Sequence, residues 1–385
     1  MEYKSLKDIA TITMGQSPES SSYNEERNGI PFYQGNADFG ELYPTVRVWC
    51  NNPKKTAKEN DILISVRAPI GALNYATEKC CIGRGLAAIT IENDFERNYV
   101  FHLLKAQKNK LNNKGTGSTF KAIGKSVLEE IQVPVISIEQ QEISMKLMDT
   151  IEQIVRHRKQ ELKSLDTLIK SRFTEMFGDP VENPKGYYVA TLQELINNGF
   201  IMYHLDGNHG GDYPRSEEFV DSGIPYISAN CIVNDEIDFS KAKFLTPERA
   251  GKLRKGIAQD DDVLFAHNAT VGPTVVLHTD EEKVILGTSL TAYRCNKEEI
   301  MPNYLKAYML SDGFVRQYSG DMKQTTRNQV PITAQKKYLF LIPPIEEQNQ
   351  FSAFVAQIDK LKATIQKSID EAQTLFDSLM QEYFG

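Results

Sequence analysis

The sequence lacks the features that mark membrane-spanning, secreted and metal-binding proteins. Its 385 residues contain no apolar run near the roughly 18 to 20 residues needed to cross a bilayer. The opening MEYKSLKDIA has no apolar core of a secretion signal. The five cysteines form no CxxC pair and have no ligand spacing with histidine. We therefore expect a cytoplasmic protein without a bound metal, in which the cysteines are reduced packing residues.

Acidic residues are missing from one segment of the chain. Between Arg97 and Leu128 there is no Asp or Glu, and the basic residues of this segment are Arg97, Lys105, Lys108, Lys110, Lys114, Lys121 and Lys125. The net charge is −7 for the whole chain, but +2 for residues 1–137 and −5 for residues 179–344. A basic patch on an acidic protein is typical of a surface that binds nucleic acid. The alternative interpretation is a solvated, lysine-rich helix and loop.

Glycine and proline are missing from residues 138–177 and 345–384, and both segments end in phenylalanine followed by glycine. Apolar residues recur in both segments at spacings of four and three, with a period of eleven residues. The first stripe is Leu147, Ile151, Ile154, Leu162, Leu165, Ile169, Phe173 and Met176, and the second is Phe354, Ile358, Leu361, Ile365, Ile369, Ala372, Phe376, Met380 and Tyr383. The pattern predicts two long helices, over 138–178 and 345–385, that pack on each other antiparallel. The alternative is that each helix packs only on its own domain.

A short motif occurs twice, as GIPFYQGN at 29–36 and as GIPYISAN at 223–230. Further segments repeat in the same order, for example NYVFHLLKA at 98–106 and NYLKAYMLS at 303–311. Runs such as DILISVRA, LAAITI, DVLFAHNA and LTAYRC predict strands, whereas NYVFHLLKAQKNKL and NYLKAYMLSDGFVRQY predict helices. The repeat therefore predicts two similar α+β domains, residues 1–137 and 179–344, related by a pseudo-two-fold axis and joined by the two long helices.

Motifs that carry catalysis are also missing. TFKAIGKS at 119–126 ends like a phosphate-binding loop, but it has Thr119 where the first glycine is required. The sequence contains no HExxH and no GxSxG motif. The DDD run at 260–262 precedes a predicted strand, which favours a polar turn over a cation site, and His204 and His209 fall in a glycine-rich loop. We expect no active site, metal or cofactor in this chain, and a nucleotide-binding enzyme is the alternative.

Taken in order, these features resemble the specificity subunits of type I restriction-modification systems. The resemblance rests on the repeated domain with its GIP motif, the D-(I/V)-L runs, the junctions VPVISIEQQEI and IPPIEEQNQF, and the long helices that end in FG. It implies that each domain reads one half of a split, asymmetric DNA site and that the helices set the spacing. It also implies that two methyltransferase subunits and motor-nuclease subunits are partners, and that these hold S-adenosylmethionine, ATP and Mg.

Base recognition requires polar side chains that loops present to the groove edges of DNA. In the first domain we predict DNA contacts from Gln34, Asn36, Arg67, Arg84, Lys114, Ser118, Thr119 and Lys121. In the second domain we predict them from Ser228, Asn230, His267, Asn268, Thr288, Lys323, Gln324, Thr325, Thr326 and Arg327. The alternative for each residue is a turn hydrogen bond or a solvated surface position. We expect Gln34 against Ser228, and Tyr33 against Ile227, to distinguish the two half-sites.

The charge of the second domain affects how strongly the chain is expected to bind DNA. Because residues 179–344 are net −5, we expect weak binding by the isolated chain, with additional affinity from its partners. A two-headed scaffold or adhesion protein on a helical rod would also have this architecture. That alternative does not explain the acid-free basic segment.

Overall fold

The structure, a computed structural model, describes residues 2–116, 121–208, 213–322 and 328–384. The chain divides into two compact units, one formed by Met1–Lys159 with Gln366–Gly385 and the other by Gln160–Ile365. Each unit therefore contains a globular domain and a part of each long helix. Within the described ranges, no helix is both long enough and apolar enough to cross a membrane.

The first unit is built from short strands followed by helices. Its strands are β1 (Tyr3–Ser5), β2 (Thr11–Met14), β3 (Tyr23–Asn24), β4 (Ile30–Tyr33), β5 (Trp49–Cys50), β6 (Thr56–Ala57), β7 (Ile62–Ser65), β8 (Leu73–Tyr75), β9 (Cys80–Ile82), β10 (Leu86–Thr90) and β11 (Gln132–Pro134). Its helices are α1 (Leu6–Ile9), α2 (Asp94–Ala106), α3 (Lys108–Asn113), α4 (Lys125–Glu129) and the long α5 (Ile138–Phe177), which continues into the second unit.

The second unit repeats this succession of elements. Its strands are β12 (Tyr188–Thr191), β13 (Ile201–Asp206), β14 (Phe219–Val220), β15 (Ile224–Ile227), β16 (Ile232–Val233), β17 (Glu236–Ile237), β18 (Lys243–Leu245), β19 (Ile257–Ala258), β20 (Val263–Asn268), β21 (Thr270–Val276), β22 (Val284–Leu286), β23 (Leu290–Cys295) and β24 (Leu339–Ile342). Its helices are α6 (Leu192–Asn197), α7 (Pro247–Gly251), α8 (Pro302–Met309), α9 (Asp312–Met322), α10 (Ile332–Gln335) and the long α11 (Ile345–Phe384), which continues into the first unit.

Both units have the same strand order. In the first unit a four-stranded antiparallel sheet has the order β2-β10-β7-β8, and a five-stranded sheet has the order β3-β5-β4-β9-β6. The second unit has β13-β23-β20-β21 and β14-β18-β15-β22-β19. The parallel pair β4 and β9 corresponds to the parallel pair β15 and β22. The agreement confirms the predicted duplication and the α+β class.

The four-stranded sheet is the middle layer of each unit, with helices on one face and the five-stranded sheet on the other. In β7, Ile62 and Ile64 pack on the helix side with α2, whereas Leu63 packs on the five-stranded sheet. Because successive strand residues point to opposite faces, a strand that is covered on both sides is apolar throughout. This explains why the repeated runs DILIS and DVLFA contain consecutive apolar residues rather than alternating apolar and polar ones.

Each domain helix that the sequence predicts as continuous is broken in two. The first breaks at Gln107, whose ψ of 4° departs from the helical value, so that α3 begins one residue later. The second breaks at Ser311, whose hydroxyl accepts a hydrogen bond from the Phe314 N–H at 3.4 Å. Such a serine caps the start of a new helix, α9.

Two long helices occur where the sequence predicts them, α5 over Ile138–Phe177 and α11 over Ile345–Phe384, and Gly178 follows α5 with a φ of +77°. In the first unit, Met148 of α5 shares a core with Met380 of α11. In the second unit, Phe173 of α5 packs on Phe351 of α11, with ring centroids 5.7 Å apart. Within each unit, the early part of one helix therefore meets the late part of the other, as an antiparallel pairing requires.

The predicted apolar stripe of α5 is only partly correct. Ile151, Phe173 and Met176 are buried, but Leu147 and Ile154 are 40% and 42% exposed. Met145 and Met148 are buried instead, because this part of α5 packs on the domain core as well as on α11. The early part of α5 thus has two packing faces and leaves apolar side chains at the surface.

Candidate nucleic-acid interface

Four turns of the first unit meet at one end of its sheets. They follow β2, β4 and β7 and connect β9 to β10. Together they surround a concave pocket of about 190 Å³, lined by Ser17, Gln34, Gly35, Asn36, Arg67, Ala68, Arg84 and Gly85. The structure therefore brings four of the predicted residues, Gln34, Asn36, Arg67 and Arg84, to one place.

Glycines allow these turns to approach so closely. A Cβ atom at Gly15 would lie 2.2 Å from the carbonyl oxygen of Gly83, and one at Gly85 would lie 2.4 Å from that of Gln34. Both distances are far below van der Waals contact, so larger residues would push the turns apart. The glycines of this region therefore shape the pocket, and the residues between them supply its side chains.

The turn after the GIP motif is fixed by Asp38. The backbone N–H groups of Gln34 and Gly35 donate to its carboxylate at 2.7 and 3.3 Å. Arg47 pairs with the same carboxylate at 2.5 Å. Because Asp38 is fully occupied by these groups, it holds the turn in shape without adding a free negative charge to the pocket.

The basic segment lies against this pocket. The Ala68 N–H donates to the carbonyl of Lys121 at 3.2 Å, and Thr116 and Ala122 exchange two backbone hydrogen bonds at 3.0 Å. Lys114 and Lys121, which are close to that pair in the sequence, are exposed. The predicted residues Ser118 and Thr119 lie outside the described residues.

The cations of the basic segment fall into two groups. Arg97 pairs with Asp94, Lys105 with Glu152 and Lys125 with Glu129, so these three are neutralised within the unit. Within the described ranges, the remaining cations have no acidic partner; they are Lys108, Lys110, Lys114 and Lys121. Unpaired surface cations of this kind are available to contact phosphate.

The second unit presents the corresponding turns with neutral side chains. Ser228, Asn230, Asn268 and Thr288 are exposed or half-buried there. The Ala229 N–H donates to the Ser289 hydroxyl at 2.9 Å, which ties the turn after β15 to the turn between β22 and β23. The predicted residues Lys323, Gln324, Thr325, Thr326 and Arg327 lie outside the described part of the chain.

His267 does not lie at the surface, where the sequence analysis expected it. It is 1% exposed, and its Nδ1 is 3.1 Å from the carbonyl oxygen of Val330. The Val330 N–H in turn donates to the His267 carbonyl at 2.8 Å, and the next residue, Asn268, pairs with Gln329. The expectation is wrong because β20 extends to Asn268, so His267 faces the interior and positions the segment at Val330.

Tyr33 and Ile227, which were expected to distinguish the two half-sites, do not lie at the surface either. Both are fully buried strand residues, and burial raises the pKa of Tyr33 to about 12. They belong to the core between the two sheets. Only the following residues, Gln34 and Ser228, reach the surface and can differ in what they contact.

A buried polar network below this edge of the second unit was missed by the sequence analysis. The Gln335 side-chain oxygen accepts from the Tyr293 hydroxyl at 2.6 Å and lies 3.1 Å from His204 Nε2. The Gln335 amide donates to Thr291 at 3.2 Å and to the Val330 carbonyl at 3.3 Å. Burial lowers the pKa of His204 to about 4, so its ring is neutral near pH 7. His204 is thus structural, and His209 lies outside the described residues.

The DDD run forms a turn, as the sequence analysis expected. Asp262 is buried and pairs with Arg294 at 2.7 Å. Asp261 adopts a φ of +65° and pairs with Lys297, and the Thr279 N–H donates to Asp260 at 3.0 Å. Asp260, Asp261 and His278 could approach a cation together, but the ammonium of Lys297 already neutralises Asp261.

Two similar α+β units, each with a polar edge of converging turns, define a class of protein with two related recognition domains. Comparison with known proteins gives the family. The type I restriction modification DNA specificity domain matches residues 1–164 and 185–373. The chain belongs to this family. This membership confirms the resemblance to specificity subunits and does not favour the alternative of a two-headed scaffold protein.

Individual relatives agree with this membership. The specificity subunit of type I restriction enzyme EcoBI from Escherichia coli is 19% identical, over 98% of this chain and 83% of that protein. A Methanocaldococcus jannaschii protein assigned as the MjaX specificity subunit is 44% identical over 156 residues, which are 40% of this chain and 37% of that protein. The crystal structure of a type I restriction-modification S subunit from M. genitalium matches 100% of this chain and 96% of its own, with a TM-score of 0.59 and 16% identity, and shows the same fold.

Proposed function

We propose that this chain is the DNA-reading subunit of a type I restriction-modification complex and that each unit reads one half of a split site. The observation that carries this proposal is the polar edge that occurs in both units on the same strand order, with Gln34, Arg67 and Arg84 in one unit and Ser228, Asn268 and Thr288 in the other. A shared scaffold with different polar side chains suits two half-sites of different sequence.

We also propose that the long helices set the spacing between half-sites and bind two methyltransferase subunits. Among the described residues, six large apolar side chains are exposed on them, at Ile143, Leu147, Ile154, Leu168, Leu361 and Leu375. Four of the six form two pairs whose positions differ by 207 residues, Ile154 with Leu361 and Leu168 with Leu375. Each unit therefore exposes one of these paired residues from each helix. Exposed apolar residues that recur in both copies fit a partner that docks twice.

Catalysis belongs to the partners in this proposal. S-adenosylmethionine would bind to the methyltransferase subunits, and ATP and Mg to motor-nuclease subunits. This chain would contribute DNA sequence selection without a reaction of its own. Because residues 179–344 carry a net charge of −5, we propose that it binds DNA weakly until its partners enclose the duplex.

The proposal is tested by expressing the chain with its methyltransferase partner and mapping the modified adenines in host DNA. We expect a split motif with two different halves. Replacing residues 1–137 by the corresponding domain of another specificity subunit should change one half of the motif and leave the other intact. A change in both halves, or in neither, would contradict the assignment of one unit to one half-site.

The docking surface is tested by a matched set of variants. Ile154→Glu and Leu361→Glu place a charge in the exposed apolar positions and should weaken binding of the methyltransferase subunit. Lys367→Glu alters an exposed helix position outside these pairs and serves as the control. Equal binding by all three variants, measured by analytical ultracentrifugation, would place the docking surface elsewhere.

A further inference from the structure

The two polar edges share a backbone arrangement but differ in charge. Val66 N–H donates to the Gly85 carbonyl at 2.9 Å, and the corresponding His267 N–H donates to the Ser289 carbonyl at 3.0 Å. The Ala68 N–H donates to the backbone carbonyl of Lys121, and the Ala269 N–H donates in the same way to the backbone carbonyl of Asn328. These bonds equate three cationic positions of the first unit with neutral positions of the second, namely Arg67 with Asn268, Arg84 with Thr288, and Lys121 with Asn328.

The described side chains of the first pocket can donate hydrogen bonds to a ligand, and they include no negative charge that would repel a ligand rich in acceptors. Arg67 and Arg84 are exposed, and a guanidinium group carries donors only. No carboxylate lines the pocket among the described residues, and the neighbouring Asp38 is occupied by backbone N–H groups and Arg47. The pocket is therefore suited to a ligand that offers a pair of acceptors.

DNA offers two ligands of this kind, a backbone phosphate and the major-groove edge of guanine with its O6 and N7 acceptors. Phosphate is present in every DNA sequence, so a phosphate site would need its cations in both units. The second unit has the same turns but has replaced all three cations with amide or hydroxyl side chains. Divergence of side chains on an unchanged backbone favours contact with the bases.

We propose that the pocket formed by Arg67 and Arg84 reads a guanine in the half-site of the first unit, with the guanidinium groups donating to O6 and N7. This inference rests on the proposed function and specifies the chemistry of one half-site. The second unit, with Asn268 and Thr288 at the same positions, does not select guanine by this means. Gln34 and Asn36, on the opposite turn, face the same pocket.

The experiment uses the full chain in complex with its methyltransferase partner and the split site mapped as above. Duplexes carry 7-deazaguanine, which lacks the N7 acceptor, at each guanine of one half-site in turn. We expect the substitution at one position of the first unit's half-site to lower the affinity for the duplex about 5- to 150-fold in competition binding. Arg67→Gln or Arg84→Gln should abolish that sensitivity and leave the second half-site unaffected.

Two control variants separate base contact from charge. Arg84→Lys keeps the positive charge but loses the planar, forked donors of the guanidinium group. This variant should lose guanine discrimination, and the salt dependence of its DNA binding should be unchanged. Lys79→Gln removes an exposed positive charge outside the pocket and should keep the 7-deazaguanine effect. Circular dichroism shows that each variant is folded before it is compared.

Several results would overturn the inference. One is a half-site of the first unit without a G·C pair, and another is 7-deazaguanine binding as tightly as guanine at every position. A third is that Arg84→Gln lowers the salt slope by about one without changing base preference, which is the behaviour of a phosphate contact. In all three cases a split motif with exchangeable halves would still stand, so failure of this inference is distinguishable from failure of the proposed function.

Discussion

The buried amide of Gln335 allows a quantitative test of how the second unit holds its polar edge. Gln335→Leu approximately conserves side-chain volume but removes every polar contact of the amide. His204 Nε2, the Tyr293 hydroxyl and the Thr291 hydroxyl each lose their bond to Gln335. An unpaired buried group costs about 1 to 3 kcal/mol, and we take about 1.5 kcal/mol for each of the three groups. The added apolar side chain returns about 1.5 kcal/mol. We therefore expect the free energy of unfolding to fall by about 3 kcal/mol.

The measurement is urea unfolding followed by far-UV circular dichroism. Trp49 is the chain's one tryptophan and belongs to the first unit, so its fluorescence reports that unit separately. The control is Gln366→Leu, which removes an exposed amide that donates to Asp370 at 2.9 Å, and it should change stability by less than about 0.5 kcal/mol. If Gln335→Leu were as mild as this control, the network would not be holding the second unit together.

Glycine contacts, one histidine and two cysteines give three more tests. Gly85→Ala should lower the free energy of unfolding by about 1 to 3 kcal/mol, because its Cβ would lie 2.4 Å from the Gln34 carbonyl. Gly251→Ala in α7 meets no atom within 4 Å and should be neutral or stabilising in thermal unfolding, so equal Tm values for the two would contradict the reasoning. Because burial lowers the pKa of His204 from 6.5 to about 4, the unfolded chain binds a proton between those values that the folded chain does not, and stability should fall as pH drops from 6.5 towards 4. Urea unfolding at pH 7 and pH 5 should show a smaller loss of stability for His204→Asn than for the unaltered chain. An identical loss would exclude His204 as a source of the pH dependence. Burial raises the pKa of Cys80 and Cys81 to about 12, so both thiols should resist alkylation at pH 8 in the folded chain and react in urea; rapid labelling of the native protein, detected by mass spectrometry, would contradict this.

The parts of the fold that depend on local pattern were predictable. The absence of glycine and proline and the apolar periodicity predicted α5 and α11, and the repeated motifs predicted two similar units. The residues of the first pocket were also predictable in kind, because Gln34, Asn36, Arg67 and Arg84 are polar residues that follow predicted strands. Whether any of them contacts DNA stays a prediction.

The failures have a common physical cause. Tyr33 and Ile227 stand one residue before the turn, and His267 stands one residue before the end of β20, so a shift of a single position reverses the face to which a side chain points. Gln335 is one polar residue in a short helix, and nothing in the sequence around it indicates burial. Its side-chain partners are 42 to 131 residues away, so only the folded chain brings them together.

The sequence by itself determined that the chain consists of two copies of one unit with two long helices, since repeats and periodicity are local properties of the chain. Tertiary structure decided which polar residues of each copy share a pocket, because the turns at Gln34, Arg67 and Arg84 are distant in sequence and meet only where glycines without side chains let the strand ends approach. It also decided that the same place is cationic in one unit and neutral in the other, since that comparison requires the backbone hydrogen bonds that equate Lys121 with Asn328.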